Sequence, residues 1–243
     1  MMNNMTVAII LPVYNASATL SRAINSVLSQ TYKYFTLYII DDCSKDHSRE
    51  IINKYIHYSN IKVIFNDKNL GVAATRNKGL NLAVEDVIAF IDSDDEWLED
   101  KLKTQLIRLE SDGSPNITHY YFITNSKKLV SYDKRILSRK DFLKKDFRVC
   151  LSSLIHKRSD VRFKEIGHED FLYINNLYNA YDDISVTNKP LVNYYVTQDS
   201  LSSNKVTAAK WHYNLLSKEI KLSTHKVFYY FIHYALNAIL FRK

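Results

Sequence analysis

The chain has 243 residues, a length that suits one large domain or a domain with a short appendage and can bury a substantial core. Hydrophobic residues at 46% beside charged residues at 24% exclude a disordered chain. The net charge of +7 implies an anionic environment, yet Lys and Arg are dispersed rather than striped, which argues against nucleic acid as the partner.

Cys43 and Cys150 are widely separated and form no metal-binding spacing, so neither a disulfide framework nor a structural zinc site is expected, and a reducing cytoplasm fits. The opening MMNNMTVAIILPVYN lacks a basic segment followed by a long apolar stretch, so export is not expected. Tyrosines (18) and phenylalanines (11) are abundant, supplying surface suited to interfaces and ligand stacking.

In chain order, Val7 to Leu11 reads as a strand, Pro12 to Asn15 as a turn, and Leu20, Ile24, Val27 and Leu28 recur at helical spacing. The pattern repeats with a strand at Phe35 to Ile40, a helix at Asp46 to Tyr58, a strand at Ile61 to Phe65 and a helix at Gly71 to Leu82. A fourth strand at Val87 to Ile91 leads to a helix at Trp97 to Glu110. Such alternation predicts an α/β fold with a mostly parallel sheet covered on both faces. Beyond it, His119 to Thr124 and Lys128 to Tyr132 read as a hairpin and Val149 to Ile155 as a strand. A helix from near His168, strands at Ile184 to Thr187 and Leu191 to Thr197, and a helix from Lys205 to Leu222 follow, so this half is expected to be mixed sheet.

The last segment, KVFYYFIHYALNAILFRK, is aromatic and aliphatic between basic ends. It is short for a membrane span of ~20 residues. Two readings stand side by side: an interfacial helix on anionic lipid, or a helix packed on the domain or in a homodimer.

Polar clusters close each of the first four strands: PVYN, DDCS, NDKNLG and DSDDE. Ligands of open α/β sheets bind at such carboxyl ends. Paired carboxylates there hold hard cations, and Asp92 and Asp94 share a face if the strand alternation continues, so one Mn²⁺ or Mg²⁺ could meet both. A metal with open positions accepts an anionic diphosphate. The segment DSDDEWLEDKLK lacks the glycine of an EF-hand, and no glycine-rich phosphate loop is present. The competing explanation is an acidic N-cap cluster for the Trp97 to Glu110 helix, which suffices for Asp95, Glu96 and Glu99. Asp41 or Asp42 could accept the ring N–H of a uracil, with turn formation the better account of Asp42.

Together, AIILPVYNASATLSRAINSVLSQTY, YIIDDCSKDHS, NLGVAATRNKGL and IAFIDSDDEW resemble the N-terminal half of family 2 glycosyltransferases, inverting enzymes of GT-A fold that use nucleotide-diphosphate sugars. The resemblance implies a Rossmann-like nucleotide-sugar-binding mixed sheet flanked by helices, with C-terminal helices. It divides the chain into a catalytic domain over 1–225, with a nucleotide-sugar half (1–110) and an acceptor half (111–205), and a C-terminal aromatic and basic helix over 226–243. Position by position, Pro12, Val13, Tyr14 and Asn15 would line the nucleoside pocket together with Asp41 on the uracil. Arg76 would lie near the diphosphate or donor sugar, Asp92 and Ser93 at the ribose or donor, and Asp94 on the metal with Asp92.

In the second half, IGHEDFLYINNL is similar to the family's acceptor-side Glu-Asp motif, which makes Asp170 the expected base and Glu169 the alternative. A departure is VNYYVTQDSLSSN, with Tyr195 and Gln198 where members often carry a basic or histidine residue. His156, His168 and His212 have no clustered spacing and are expected to be structural or acceptor-facing.

The resulting expectation is a metal-dependent enzyme moving sugar from a UDP-sugar to a glycan or glycolipid acceptor in lipopolysaccharide, O-antigen or capsule synthesis of a bacterium. It would be cytoplasmic and peripheral at the inner face of the membrane. A sugar nucleotidyltransferase is the enzymatic rival, weakened by the absence of glycine and lysine from LPVYNASATL. A non-catalytic nucleotide-sugar or glycan-binding module is the other, weakened by the presence of both Asp94 and Asp170.

Overall fold

The computed structural model describes residues 5–145, 149–196 and 205–240. Among them, one ten-stranded sheet organises the chain. Its first part is built from β1 (Val7–Val13), β2 (Phe35–Asp41), β3 (Ile61–Phe65) and β4 (Val87–Phe90), alternating with helices α1 (Leu20–Leu28), α2 (Ser48–Asn53) and α3 (Val72–Leu82). All their pairings, β1 with β2, β1 with β4 and β2 with β3, are parallel. β1, β2 and β4 are covered on both faces, which is why they read as apolar runs, whereas the edge strand β3 exposes Lys62 and Phe65. The helix α3 lies close on the sheet: a Cβ added to Gly79 would come within 2.8 Å of the Ile10 side chain.

After β5 (Glu96–Trp97) and α4 (Lys101–Asp112), the remaining strands are β6 (Asn116–Ile123), β7 (Lys127–Val130), β8 (Ile136–Ser138), β9 (Ile155–Lys157) and β10 (Asp183–Tyr195). The path through the sheet is β3-β2-β1-β4-β9-β6-β10-β5, with β7 on β6 and β8 on β10. Antiparallel β9 joins the two parts, pairing with β4 and with β6, and the sheet is mixed as expected. Short α5 (Arg139–Leu143), α6 (Glu169–Leu177), α7 (Lys205–Asn214) and α8 (Thr224–Leu240) complete the fold.

Several boundaries differ from the sequence expectation for identifiable reasons. Pro12 and Val13 are in β1 rather than in a turn, because Val13 still pairs with Asp41 of β2. The helix expected from Asp46 to Tyr58 ends at Asn53 and passes into turns. Trp97 does not begin a helix; it pairs with Val192, and α4 starts only at Lys101. The strand expected at Val149 to Ile155 is a 3₁₀ turn at Leu151–Ser153 followed by β9. Two expected strands at 184–197 are one, β10, whose register against β6 shifts around Pro190, where no N–H is available for the ladder. The helix expected from Lys205 to Leu222 is α-helical to Asn214, then a π turn over Leu215–Glu219.

The C-terminal helix is two-sided. Val227 is buried and Tyr230 and Phe231 pack against the core, while Phe228 (68% exposed), Tyr229, Ile232 and Leu236 face outward. Asn237 donates to the carbonyls of Lys144 and Lys145, fastening the helix to the end of α5. Packing on the domain is thus realised for one face, and the other remains open.

Candidate active site

The loops after β1, β2 and β4 meet at one edge of the sheet. Asn15, with φ 49°, ties two of them together: its N–H donates to Ser44 Oγ (3.0 Å) and its side-chain carbonyl accepts from Lys45 N (2.8 Å). Tyr14 projects outward at 51% exposure, whereas Pro12 and Val13 are buried in β1. Asp41 is fully buried and accepts from Arg49 Nε (2.6 Å) and Ser44 N (3.3 Å). Asp42 accepts from the backbone N–H groups of Leu70 (2.8 Å) and Gly71 (2.9 Å), closing the loop before α3, a structural role but not the turn before α2 expected of it.

The acidic segment after β4 is a turn rather than a continued strand: Asp95 N donates to Asp92 O (3.0 Å). The premise that strand alternation aligns Asp92 with Asp94 therefore fails, although the two carboxylates remain close enough for Asp92 to raise the Asp94 pKa. Asp94 has no side-chain hydrogen-bond partner among the described residues, and burial, reinforced by Asp92, pushes its pKa up to about 6. Ser93 is half-buried beside it.

The helix-cap account of Asp95 and Glu96 is overturned because Asp100 is the residue that precedes α4. Asp95 is fully buried, accepts from Ser152 Oγ and from Tyr195 N (3.2 Å), and its carboxyl pKa is raised by burial. Glu96 accepts from Asn193 Nδ2 (2.7 Å) and Tyr195 OH (3.1 Å). Ser152 also accepts from Asp92 N (3.1 Å), and Arg22, stacked 3.6 Å from the Tyr195 ring centroid, donates to the carbonyl of Asp94. Ser152 and Arg22 thus hold the backbone of the acidic turn, and Tyr195 its Asp95 carboxylate, leaving the Asp94 side chain uncommitted.

Sequence reasoning assigned none of these holding roles. Arg22 alone gave a signal, as the single charged residue of an otherwise apolar and polar α1.

Arg76 of α3 makes the decisive link. Its Nη2 contacts Asp92 Oδ1 at 2.7 Å and its Nη1 contacts Glu169 Oε1 at 3.0 Å, with the residue 5% exposed. One guanidinium therefore joins the acidic turn to the first turn of α6, whose Glu169 lies 93 residues from Arg76 in sequence. Glu169 is raised in pKa by burial and by neighbouring Asp170. Asp170 uses one oxygen, Oδ1, to accept from Phe171 N (2.7 Å). His156 is buried between Lys157 O (2.6 Å) and Tyr173 OH (2.9 Å), a structural placement. Gln198 lies outside the described residues.

The glycosyl transferase family 2 model matches residues 8–162, which contain all four strand-end clusters. The chain belongs to this family. The glycosyltransferase is 36% identical, over 98% of each chain, to an uncharacterized glycosyltransferase of Haemophilus influenzae. It is 31% identical to the Escherichia coli UDP-Glc:alpha-D-GlcNAc-diphosphoundecaprenol beta-1,3-glucosyltransferase WfgD, covering 98% of this chain and 95% of that protein. Identity to the putative teichuronic acid biosynthesis glycosyltransferase TuaG of Bacillus subtilis is 30%, with 96% of each covered. Among solved structures, S. aureus TarS 1-349 in complex with UDP-GlcNAc superposes with a TM-score of 0.74 at 22% identity, covering 92% of this chain and 69% of that one. The fold of the glycosyltransferase is accordingly GT-A.

The residues present fit a divalent cation. Asp94 is an uncommitted carboxylate whose charge the site disfavours, Asp92 lies beside it, and both are oxygen donors of the kind Mg²⁺ and Mn²⁺ take. No group of three or more His, Cys, Asp or Glu clusters at metal-binding spacing among the described residues, so remaining positions would fall to water and the diphosphate.

Proposed function

We propose that this enzyme transfers a sugar, with inversion, from a UDP-sugar to a lipid-linked glycan acceptor. The observation that carries the reading is the Arg76 bridge, which brings the acidic turn and the Glu169-Asp170 turn into one site. In this reading Tyr14 and Asn15 flank the nucleoside, Asp41 takes the uracil with Arg49 supporting its carboxylate, and Asp94 with Asp92 holds Mn²⁺ or Mg²⁺. When bound, the cation neutralises charge that develops on the leaving diphosphate. Asp92 and Ser93 border the donor. Arg76, with both terminal nitrogens engaged by carboxylates, keeps the net charge of the site low enough for an anionic donor to enter.

Asp170 is the base. Glu169 is held by Arg76, whereas Asp170 retains Oδ2 free to accept a proton. As Asp170 takes the proton of the acceptor hydroxyl, that oxygen forms its bond to the anomeric carbon from the face opposite UDP. The bond from this carbon to the β-phosphate oxygen breaks, its electron pair leaving with UDP. The names of WfgD and its relative WfaP, both acting on a diphosphoundecaprenol-linked sugar, support an acceptor at a lipid surface. The outward face of α8 supports contact with that surface: apolar side chains stand beside exposed Lys221 and Lys226, and no described helix is long and apolar enough to cross a membrane. We place this contact at the inner face of a bacterial cytoplasmic membrane, in surface-glycan synthesis.

The test is turnover with Mn²⁺, a panel of UDP-glucose, UDP-galactose and UDP-GlcNAc, and a polyprenyl-diphosphate-linked sugar. Asp170→Asn should lower turnover by about 10²–10⁴-fold while UDP affinity is kept, the range for loss of a general base. Turnover within a factor of about two of the parent would remove Asp170 from the role.

A further inference from the structure

The turn that carries Glu169 and Asp170 is gripped from outside by α7. Gly167 lies against the indole of Trp211 so closely that an added Cβ would clash with Cδ2, Cγ and Cε3 of the ring. The next residue, His168, precedes α6 with φ 62°, in the left-handed region that a side chain disfavours. That conformation is held by its own ring: Nε2 donates to the carbonyl of Ala208 (3.2 Å) on α7, and the imidazole stands edge-on to Trp211 at 5.8 Å. The carbonyl of His168 then accepts from Leu172 N (3.2 Å), an early backbone bond of α6.

Behind the grip, His212 of α7 is fully buried with neither ring nitrogen hydrogen-bonded among the described residues. It stacks on Tyr234 of α8 (4.3 Å) and meets Phe171 edge-on (5.4 Å). Burial pushes its pKa down to about 2, so it stays a neutral aromatic spacer between α8 and α6.

Resting on the reading of Asp170 as base, we propose that Trp211 is a positioning residue for the transfer reaction. Through Gly167 and His168, it latches the first turn of α6 so that Asp170 and the Arg76-bound Glu169 face the donor site. The resemblance to the family at this turn extends to the Glu-Asp pair; the latch lies on a different helix, and both lie outside residues 8–162 matched by the family model. A misplacement of about 1 Å in such a base can cost about 10²-fold in rate, so a small slackening of the turn is enough.

The test is a mutant cycle on Trp211→Leu and Gly167→Ala, with Trp211→Phe as the conservative variant and UDP binding in Mn²⁺ as control. Each of the first two should lower kcat about tenfold or more, with UDP Kd unchanged within about twofold, because donor loops are not touched. Trp211→Phe should recover most of the loss. In the Trp211→Leu background the added Gly167→Ala should cost less than about twofold, since the ring it would strike is gone.

Hydrogen exchange supplies a readout independent of turnover: peptides spanning 163–177 should exchange faster in Trp211→Leu while those of β1 and β4 do not. Unchanged turnover in both single variants, multiplicative losses in the double variant, or exchange that stays at the parent rate would overturn the latch. Asp170→Asn at the parent rate would remove the base assignment instead, and the exchange experiment would still decide whether α7 holds the turn.

Discussion

Asp94→Asn should stabilise the metal-free protein while ending the proposed metal-dependent transfer. The Asp94 carboxyl has a folded-state pKa of about 6 against 3.8 unfolded, because burial and Asp92 disfavour its charge. A raised pKa means that the folded state binds the proton more tightly than the unfolded chain. The associated stability is fully present below about pH 4 and is lost as pH rises through about 6. The difference of roughly two pKa units corresponds to about 3 kcal/mol, or about 2 kcal/mol after allowance for solvent reaching the partly exposed group.

Asparagine cannot ionise, so at pH 7.5 in a chelator the variant should melt some 4–8 °C above the parent, a span set by about 2–4 °C per kcal/mol for a chain of this size. The gap should shrink as pH falls toward 4. Thermal unfolding of both proteins from pH 4 to 8 in EDTA measures it. A variant that melts at or below the parent at pH 7.5, or a gap independent of pH, would refute the reasoning. Addition of Mn²⁺ with UDP should reverse the order, because only the parent has the carboxylate that gains from the cation.

Two further outcomes follow from the same geometry. Arg76→Met leaves Asp92 and Glu169 without their shared cation and should cost about 3 kcal/mol at pH 7.5, since removing one member of a buried pair strands the others. The loss should lessen as pH falls, because burial already favours the neutral form of the Glu169 carboxyl; urea unfolding followed over a falling series of pH values checks both statements. Phe228→Glu with Ile232→Glu places charge on the outward face of α8 without touching Val227 or Phe231. It should abolish sedimentation with phosphatidylglycerol vesicles and leave the melting temperature within about 2 °C, as surface substitutions do. Unaltered sedimentation would assign that face to another partner, including a second copy of the chain.

The first part of the fold was readable because strands covered on both faces leave apolar runs that stop where the sheet stops, as Val7–Val13, Phe35–Asp41 and Val87–Phe90 do, while the edge strand Ile61–Phe65 keeps a short β-rich run around an exposed Lys62. The acidic turn was readable only in part. The expectation of a cation at Asp94 follows from charge density, but the inward turn of Asp95 depends on Ser152 and Tyr195, which arrive from a distant 3₁₀ turn and a distant strand and leave no local pattern. Trp97 misled for a related reason: it stands just before Leu98, Leu102, Leu106 and Leu109, which recur at helical spacing, yet Trp97 Nε1 donates to Ser152 O (2.9 Å) and its backbone pairs with β10. Long-range pairing overrode local periodicity. Likewise the span 184–197 looked like two strands because Lys189 and Pro190 interrupt the apolar pattern, whereas a bulge absorbs them.

The Arg76 bridge was the largest omission. The resemblance put this arginine near the diphosphate; the structure gives both of its terminal nitrogens to carboxylates from opposite halves of the site. No spacing rule joins residues 93 apart, and only the packing of α3 between the two turns creates the contact.

The central claim, a UDP-sugar site completed by a divalent cation at Asp94, is tested most directly by the melting temperature with UDP in Mn²⁺ or Mg²⁺, in EDTA, and with GDP in place of UDP. The account predicts that UDP stabilises the protein only when metal is present, that GDP does so less, and that Asp94→Ala loses the response while keeping its fold. Equal stabilisation by UDP in EDTA would contradict the metal, and stronger stabilisation by GDP would contradict the place of Asp41 at the uracil.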